Sequence, residues 1–146
     1  MEANELARRE HAMRLADVMT RDLPRAQPDE SVASAAQKMV AAGVKALPVC
    51  RGDALVGILT DWDVTRAVAE AADPAREHVE RWMTKDPISA PPDALLTDAS
   101  ELMAQHQIHH LPVVRDNVVE GMVHLDVDWN RLGEAGMPAA SFATPI

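Results

Sequence analysis

The stretch GILTDWDV (residues 57–64) runs from an apolar strand pattern into a hydroxyl and two carboxylates, Thr60, Asp61 and Asp63, just where a helix pattern begins. Two kinds of chemistry use such a cluster. Thr and Asp cap helices, because their oxygens accept hydrogen bonds from the unpaired N–H groups of the first turn. The same groups can bind a ligand wherever a cleft opens at the strand end. Acid-base or nucleophilic catalysis would need more, and the chain has no Gly-rich phosphate loop, no Ser in a nucleophile elbow and no HExxH motif. Asp61 and Asp63 are therefore read as strand-end binding groups, and the protein as a non-enzyme.

Four histidines, His106, His109, His110 and His124, gather in the second half of the chain. Zinc requires three or four converging ligands. Adjacent residues of a strand point to opposite faces, so at most one of His109 and His110 can join His124, and no metal site is expected. His110 and His124 are instead expected to line a cleft, where an imidazole can contact an anion or titrate near neutral pH.

The elements that position these groups occur twice. A shift of 64 residues (83 − 19) lays residues 83–122 over residues 19–58 without a gap, with 13 identities in 40 positions. These include Met19/Met83, Thr20/Thr84, Pro28/Pro92, Met39/Met103, both Leu-Pro-Val triplets and Gly57/Gly121. Each copy reads as an extended piece, a helix, two strands and a second helix. In the first copy Val32, Ala35, Ala36, Met39 and Val40 recur at helical spacing, Asp29 or Ser31 can cap the start, and Gly43 suits the left-handed residue past the end. VKALPV, the turn RGD and ALVGIL then read as a hairpin; QIHHLPVV, RDN and VVEGMV repeat it. Pro48 and Pro112 lack an N–H, so each marks a strand end or a place where the ladder opens.

VTRAVAEAA, closed by Asp73-Pro74, continues the first copy as a helix, and AREHVERWM reads as a short helix leading into the second. Residues 4–16 read as an amphipathic helix with Leu6, Met13 and Leu15 among charges, and residues 134–146 as a flexible tail. The domains are thus an N-terminal helix (1–16), a first unit (17–72), a linker helix (73–80), a second unit (81–133) and the tail (134–146).

Composition narrows the partners. With 14 Lys+Arg against 23 Asp+Glu the net charge is −9, which opposes nucleic acid and anionic membrane surfaces. The single Cys50 excludes an internal disulfide, fits a reducing compartment and reads as a packed thiol. The first residues carry charges and no apolar core of a signal peptide, so a cytoplasmic location is expected.

Together, Met-Thr at each unit start, Pro-Asp before an Ala-rich helix, Gly43-Val44-x-x-Leu47-Pro48-Val49 and Gly57-Ile58-Leu59-Thr60-x-x-Asp63 resemble the cystathionine-β-synthase (CBS) domain, and two in tandem look like a Bateman module. The likeness covers about residues 17–132. It implies an α+β fold of two tandem β-α-β-β-α units packed sheet to sheet with pseudo-twofold symmetry. It also implies clefts that hold adenosine-containing ligands such as AMP, ADP, ATP or S-adenosylmethionine, with no cofactor required.

Carried over by position, the resemblance makes Asp63 a ribose acceptor and Thr60 a phosphate donor. Val44, Lys45, Ala46 and Pro48 would line the adenine pocket, and the segment Pro24 to Ala26 would close it. Lys45 and Arg66 would be the nearest cations. The second copy departs from the pattern, with His124 in place of Thr60 and Val127 in place of Asp63. Asp126 and Asp128 flank the carboxylate position, and in a helix one residue turns a side chain by about 100°. His110, Pro112, His124, Asp126 and Asp128 are the residues this second cleft would offer. The function implied is a regulatory sensor, an adenosyl small molecule its ligand, that pairs as a homodimer and signals to a protein target. The alternative is an oligomerisation module with empty clefts, favoured by the altered second motif and by Trp62 where family members often carry a basic residue.

Overall fold

The computed structural model describes Asn4 and residues 12–126. Most of the N-terminal helix read over 4–16, the tail, Val127 and Asp128 lie outside the described residues. The elements are α1 (Leu15–Val18), α2 (Val32–Ala42), β1 (Ala46–Arg51), β2 (Ala54–Thr60), α3 (Asp61–Ala69), α4 (Val79–Trp82), β3 (Thr84–Lys85), α5 (Leu96–His106), β4 (His110–Arg115) and β5 (Val118–His124). The architecture is α+β, an antiparallel sheet in the order β1-β2-β5-β4 with β3 added to β2.

Local sequence explains the elements. Ser31 caps α2 by accepting from the N–H of Ser34 at 3.0 Å, and Gly43, at φ 67°, ends it. Val32, Ala35 and Met39 form its buried stripe, whereas Val40, expected inside, is 84% exposed. It lies one residue, about 100°, round the helix from Met39. The turn in the second hairpin puts Asp116 and Asn117 at positive φ, the left-handed pair that suits a tight hairpin.

The duplication survives in the register. Ala46 faces Thr60 and Val49 faces Gly57 in the first hairpin; His110 faces His124 and Val113 faces Gly121 in the second, each 64 residues on. Both hairpins even carry their bulge at the same place, after Val49 and after Val113. Pro48 and Pro112 sit in edge strands. The carbonyl of Pro48 accepts from Ala26 at 3.0 Å and that of Pro112 from Ala90 at 3.1 Å. Within a strand a residue's N–H lies on the side of its carbonyl, so the missing donor falls on the outer edge and the ladder to β2 or β5 stays intact.

The halves exchange segments. Leu15 and Met19 belong to the core of the second half, with Ala99, Met103, Leu111, Val113 and Val123, while Val79 and Trp82 belong to the core of the first, with Val32, Met39, Leu47 and Leu59. Thr20 bridges Met122, and Thr84 pairs with Ile58 at the equivalent position. Gly57 and Gly121 permit these crossings, since an added Cβ would meet Met83 Sδ at the first and the Thr20 carbonyl at 2.7 Å at the second. Ala54 and Val118 join the two hairpins into one sheet.

The segment AREHVERWM forms one helical turn, Val79–Trp82, where a longer helix was expected. The carbonyls of Pro74 and Glu77 accept from the N–H groups of Ala33 and Val32, both at 2.9 Å. They serve the start of α2 and so do not close helical bonds of their own.

Candidate functional site

A cleft of about 750 Å³ opens between the halves, within the range that small-molecule sites occupy. The first half supplies Lys45, Ile58, Thr60, Asp61 and Trp62; the second supplies Thr84, Asp86, Pro87, Ile88, Ile108, His109, His110, His124 and Asp126. Of the residues singled out in the sequence, Lys45, Thr60, His110, His124 and Asp126 meet here. Ala46 and Pro48 are buried in β1, Ala26 in its bridge to Val49 and Val44 just before β1, and none of them, nor Pro24, Asp63, Arg66 or Pro112, lines this cleft. Asp128 lies outside the described residues.

The start of α3 is self-contained. The N–H of Thr60 donates to Asp63 Oδ2 at 2.8 Å, its hydroxyl does so at 3.1 Å, and the N–H of Asp63 returns to Thr60 Oγ1 at 3.3 Å. This is the reciprocal capping box. Arg66 Nη2 approaches the other oxygen, Oδ1, at 3.4 Å and donates to the Trp82 carbonyl at 3.1 Å, with the guanidinium 5.2 Å from the Trp82 ring centre. Both oxygens of Asp63 are thus engaged, and Arg66 is drawn to the linker turn. The N–H of Asp61 donates to the Lys45 carbonyl at 2.9 Å and that of Trp62 to Asp61 Oδ1 at 2.9 Å. Every N–H of the first turn of α3 is therefore engaged within the protein.

Opposite stands the histidine pair. His110 and His124 replace the Ala46–Thr60 pair of the first half, and their rings stack with centroids 4.7 Å apart and planes at 14°. His110 Nε2 and His124 Nδ1 are buried without a hydrogen-bond partner. Burial, then the neighbouring His124, His109 and Lys45, pushes His110 down to about 3. Burial also lowers His124, against the opposing pull of Asp126. His110 thus lines the cleft as an uncharged ring and does not titrate near neutrality, because a cation there would be desolvated.

Among the described residues no group of three or more His, Cys, Asp or Glu side chains is placed to hold a metal ion, and no helix is long and apolar enough to cross a membrane. Cys50 is buried, and burial raises its thiol.

Trp62, Asp86, Ile88, Ile108 and His109 line the cleft without being among the ligand positions expected from the sequence, and Asp61, read there only with Asp63 as a strand-end carboxylate, joins them. The 64-residue shift carried the signal for three of them, since Pro24, Val44 and Lys45 map onto Ile88, Ile108 and His109. Asp61 and Trp62 carried no such signal, as neighbours in a helix turn differ by about 100° in direction and only the packed halves show which one faces the cleft.

The family model for the CBS domain matches residues 15–70 and 78–126. The chain is 38% identical over 110 residues to the CBS domain-containing protein YhcV of Bacillus subtilis, spanning 75% of this chain and 78% of that protein. It is 36% identical over 120 residues to homoserine O-acetyltransferase of Methanococcoides burtonii, spanning 81% of this chain but 24% of that enzyme. Among solved structures it is similar to the CBS domain pair of protein MJ0100 in complex with 5′-methylthioadenosine and S-adenosyl-L-methionine (27% identity, TM-score 0.71, 77% of this chain and 90% of that one). It is also similar to CBSX2 in complex with AMP (26% identity, TM-score 0.65, 76% and 89%).

Proposed function

The chain belongs to the CBS domain family, as a tandem pair, and on that premise we propose that it is a non-catalytic sensor that binds an adenosine-containing ligand between its halves and passes a shape change to a partner. The observation that carries this reading is the cleft of about 750 Å³ walled by both halves. A ligand seated there touches Lys45 and Thr60 on one side and His110, His124 and Asp126 on the other. Its binding free energy therefore bears directly on how the halves sit together. Support comes from the similar pairs that hold 5′-methylthioadenosine with S-adenosyl-L-methionine, or AMP. The reading includes a cytoplasmic homodimer and an unidentified protein target.

A second reading is an oligomerisation module, favoured by the engagement of both Asp63 oxygens in the cap of α3. Thermal unfolding against AMP, ADP, ATP, adenosine and S-adenosylmethionine separates the two. A ligand at 100 times its dissociation constant adds about 2.7 kcal/mol to stability. A shift with an adenosyl compound supports the sensor; no shift with any, together with a stable oligomer, supports the module.

A further inference from the structure

We infer that the cleft selects an uncharged or cationic nucleoside-type ligand over a phosphorylated one, its ring lying on Trp62; this rests on the sensor reading above. Trp62 is 68% exposed and forms part of the cleft wall. An indole left in water costs hydrophobic free energy, and an aromatic ligand stacked on it recovers some of that cost. The charges around it are unequal. One ammonium, Lys45, stands among three carboxylates, Asp61, Asp86 and Asp126.

Two features could have reversed that balance, and neither does. The amino end of a helix attracts phosphate through its free N–H groups and its dipole. At α3 those of Asp61, Trp62 and Asp63 are bonded to the Lys45 carbonyl, Asp61 Oδ1 and Thr60 Oγ1, and two carboxylates already sit on the positive end. Histidines could supply positive charge, but of the three on the wall His110 and His124 are stacked and partly buried, which keeps His110 neutral at physiological pH, and His109 is a single exposed ring against three carboxylates. A nucleoside bearing a sulfonium or an amine, or no charge at all, meets an acidic wall with one cation. A di- or triphosphate meets net repulsion.

Isothermal titration of the full chain with adenosine, S-adenosylmethionine, AMP and ATP tests this. Adenosine or S-adenosylmethionine should bind at least about fivefold more tightly than ATP, the scale set by one charge pair about 4 Å apart in water. Raising the salt should weaken S-adenosylmethionine and leave adenosine unchanged. Trp62→Ala, at an exposed site that leaves the fold intact, should weaken every bound nucleoside about fivefold or more. Asp86→Asn with Asp126→Asn should narrow the gap to ATP. ATP or AMP binding as tightly as adenosine or S-adenosylmethionine overturns the inference and leaves the sensor standing; no binding by any of the four overturns the sensor reading and the inference with it.

Discussion

Thr60 and Asp63 bond each other reciprocally, N–H to Oδ2 at 2.8 Å and N–H to Oγ1 at 3.3 Å, at the first turn of α3. The pair that marks a ligand motif in the sequence is, in the folded chain, a helix cap beside the cleft. Asp63 is 7% exposed, so its loss is felt in the fold before it is felt by a ligand.

Asp63→Ala should therefore destabilise the protein by about 1–2 kcal/mol, the usual cost of a lost cap. Urea unfolding at pH 7 measures it. Asp63→Asn keeps an acceptor and should cost less, so equal losses in the two variants would count against the capping role.

Gly121→Ala should cost more than Gly57→Ala. At Gly121 the added methyl meets the Thr20 carbonyl oxygen at 2.7 Å, a backbone atom that moves only with the strand crossing. At Gly57 the nearest atom belongs to the flexible Met83 side chain. Overpacking of this kind costs about 1–3 kcal/mol, and Gly121→Ala should lie at the upper end. Denaturant midpoints of the two variants, compared side by side, would expose a reversed order.

Stability should fall as pH falls from about 6.5 towards 3. His110 has its folded value pushed down to about 3, so in that window the unfolded chain binds a proton that the folded chain refuses. Below both values the loss is complete, and above about 6.5 the group makes no difference. Between pH 7 and 5 His110 alone accounts for about 2 kcal/mol, with His124, His109 and Lys45 as the neighbouring groups that oppose its charging. His110→Phe, which keeps a ring against His124, should flatten this acid limb in unfolding experiments at the two pH values. An equally steep limb in the variant would assign the pH dependence to other groups.

Gln107→Gly should stabilise the chain. Gln107 ends α5 at φ 52° where Gly43 ends α2 at φ 67°, and a side chain in that left-handed region costs about 1 kcal/mol relative to glycine. A rise in Tm of a few degrees is the expected outcome; a fall would mean that the Gln107 side chain contributes more than the strain it carries.

Much of the fold was legible because the chain states it twice. Identities such as Met19/Met83 and Gly57/Gly121, on a constant 64-residue shift, marked two equivalent units and their hairpins, whereas α3 stops at Ala69, short of the end expected at Asp73-Pro74. Ser31, Gly43 and the turn before β5 act through neighbours a few residues away, and such local bonds are written in local sequence. The composition likewise set the acidic surface and the lone buried thiol.

Only the tertiary structure decided which carboxylate faces the cleft, which segment packs on which half, and what state the histidines hold. Asp63 bonds Thr60 in the cap of α3 while Asp61 and Trp62 face the cleft, and the wall they join is completed by Asp86, Ile88 and His110 of the second half. Leu15 and Met19 cross to the second core, and Val79 and Trp82 to the first, through contacts between residues far apart in sequence. His110 is uncharged because β4 and β5 stack it on His124 away from water. Burial and long-range contact set these outcomes, and both are properties of the assembled chain.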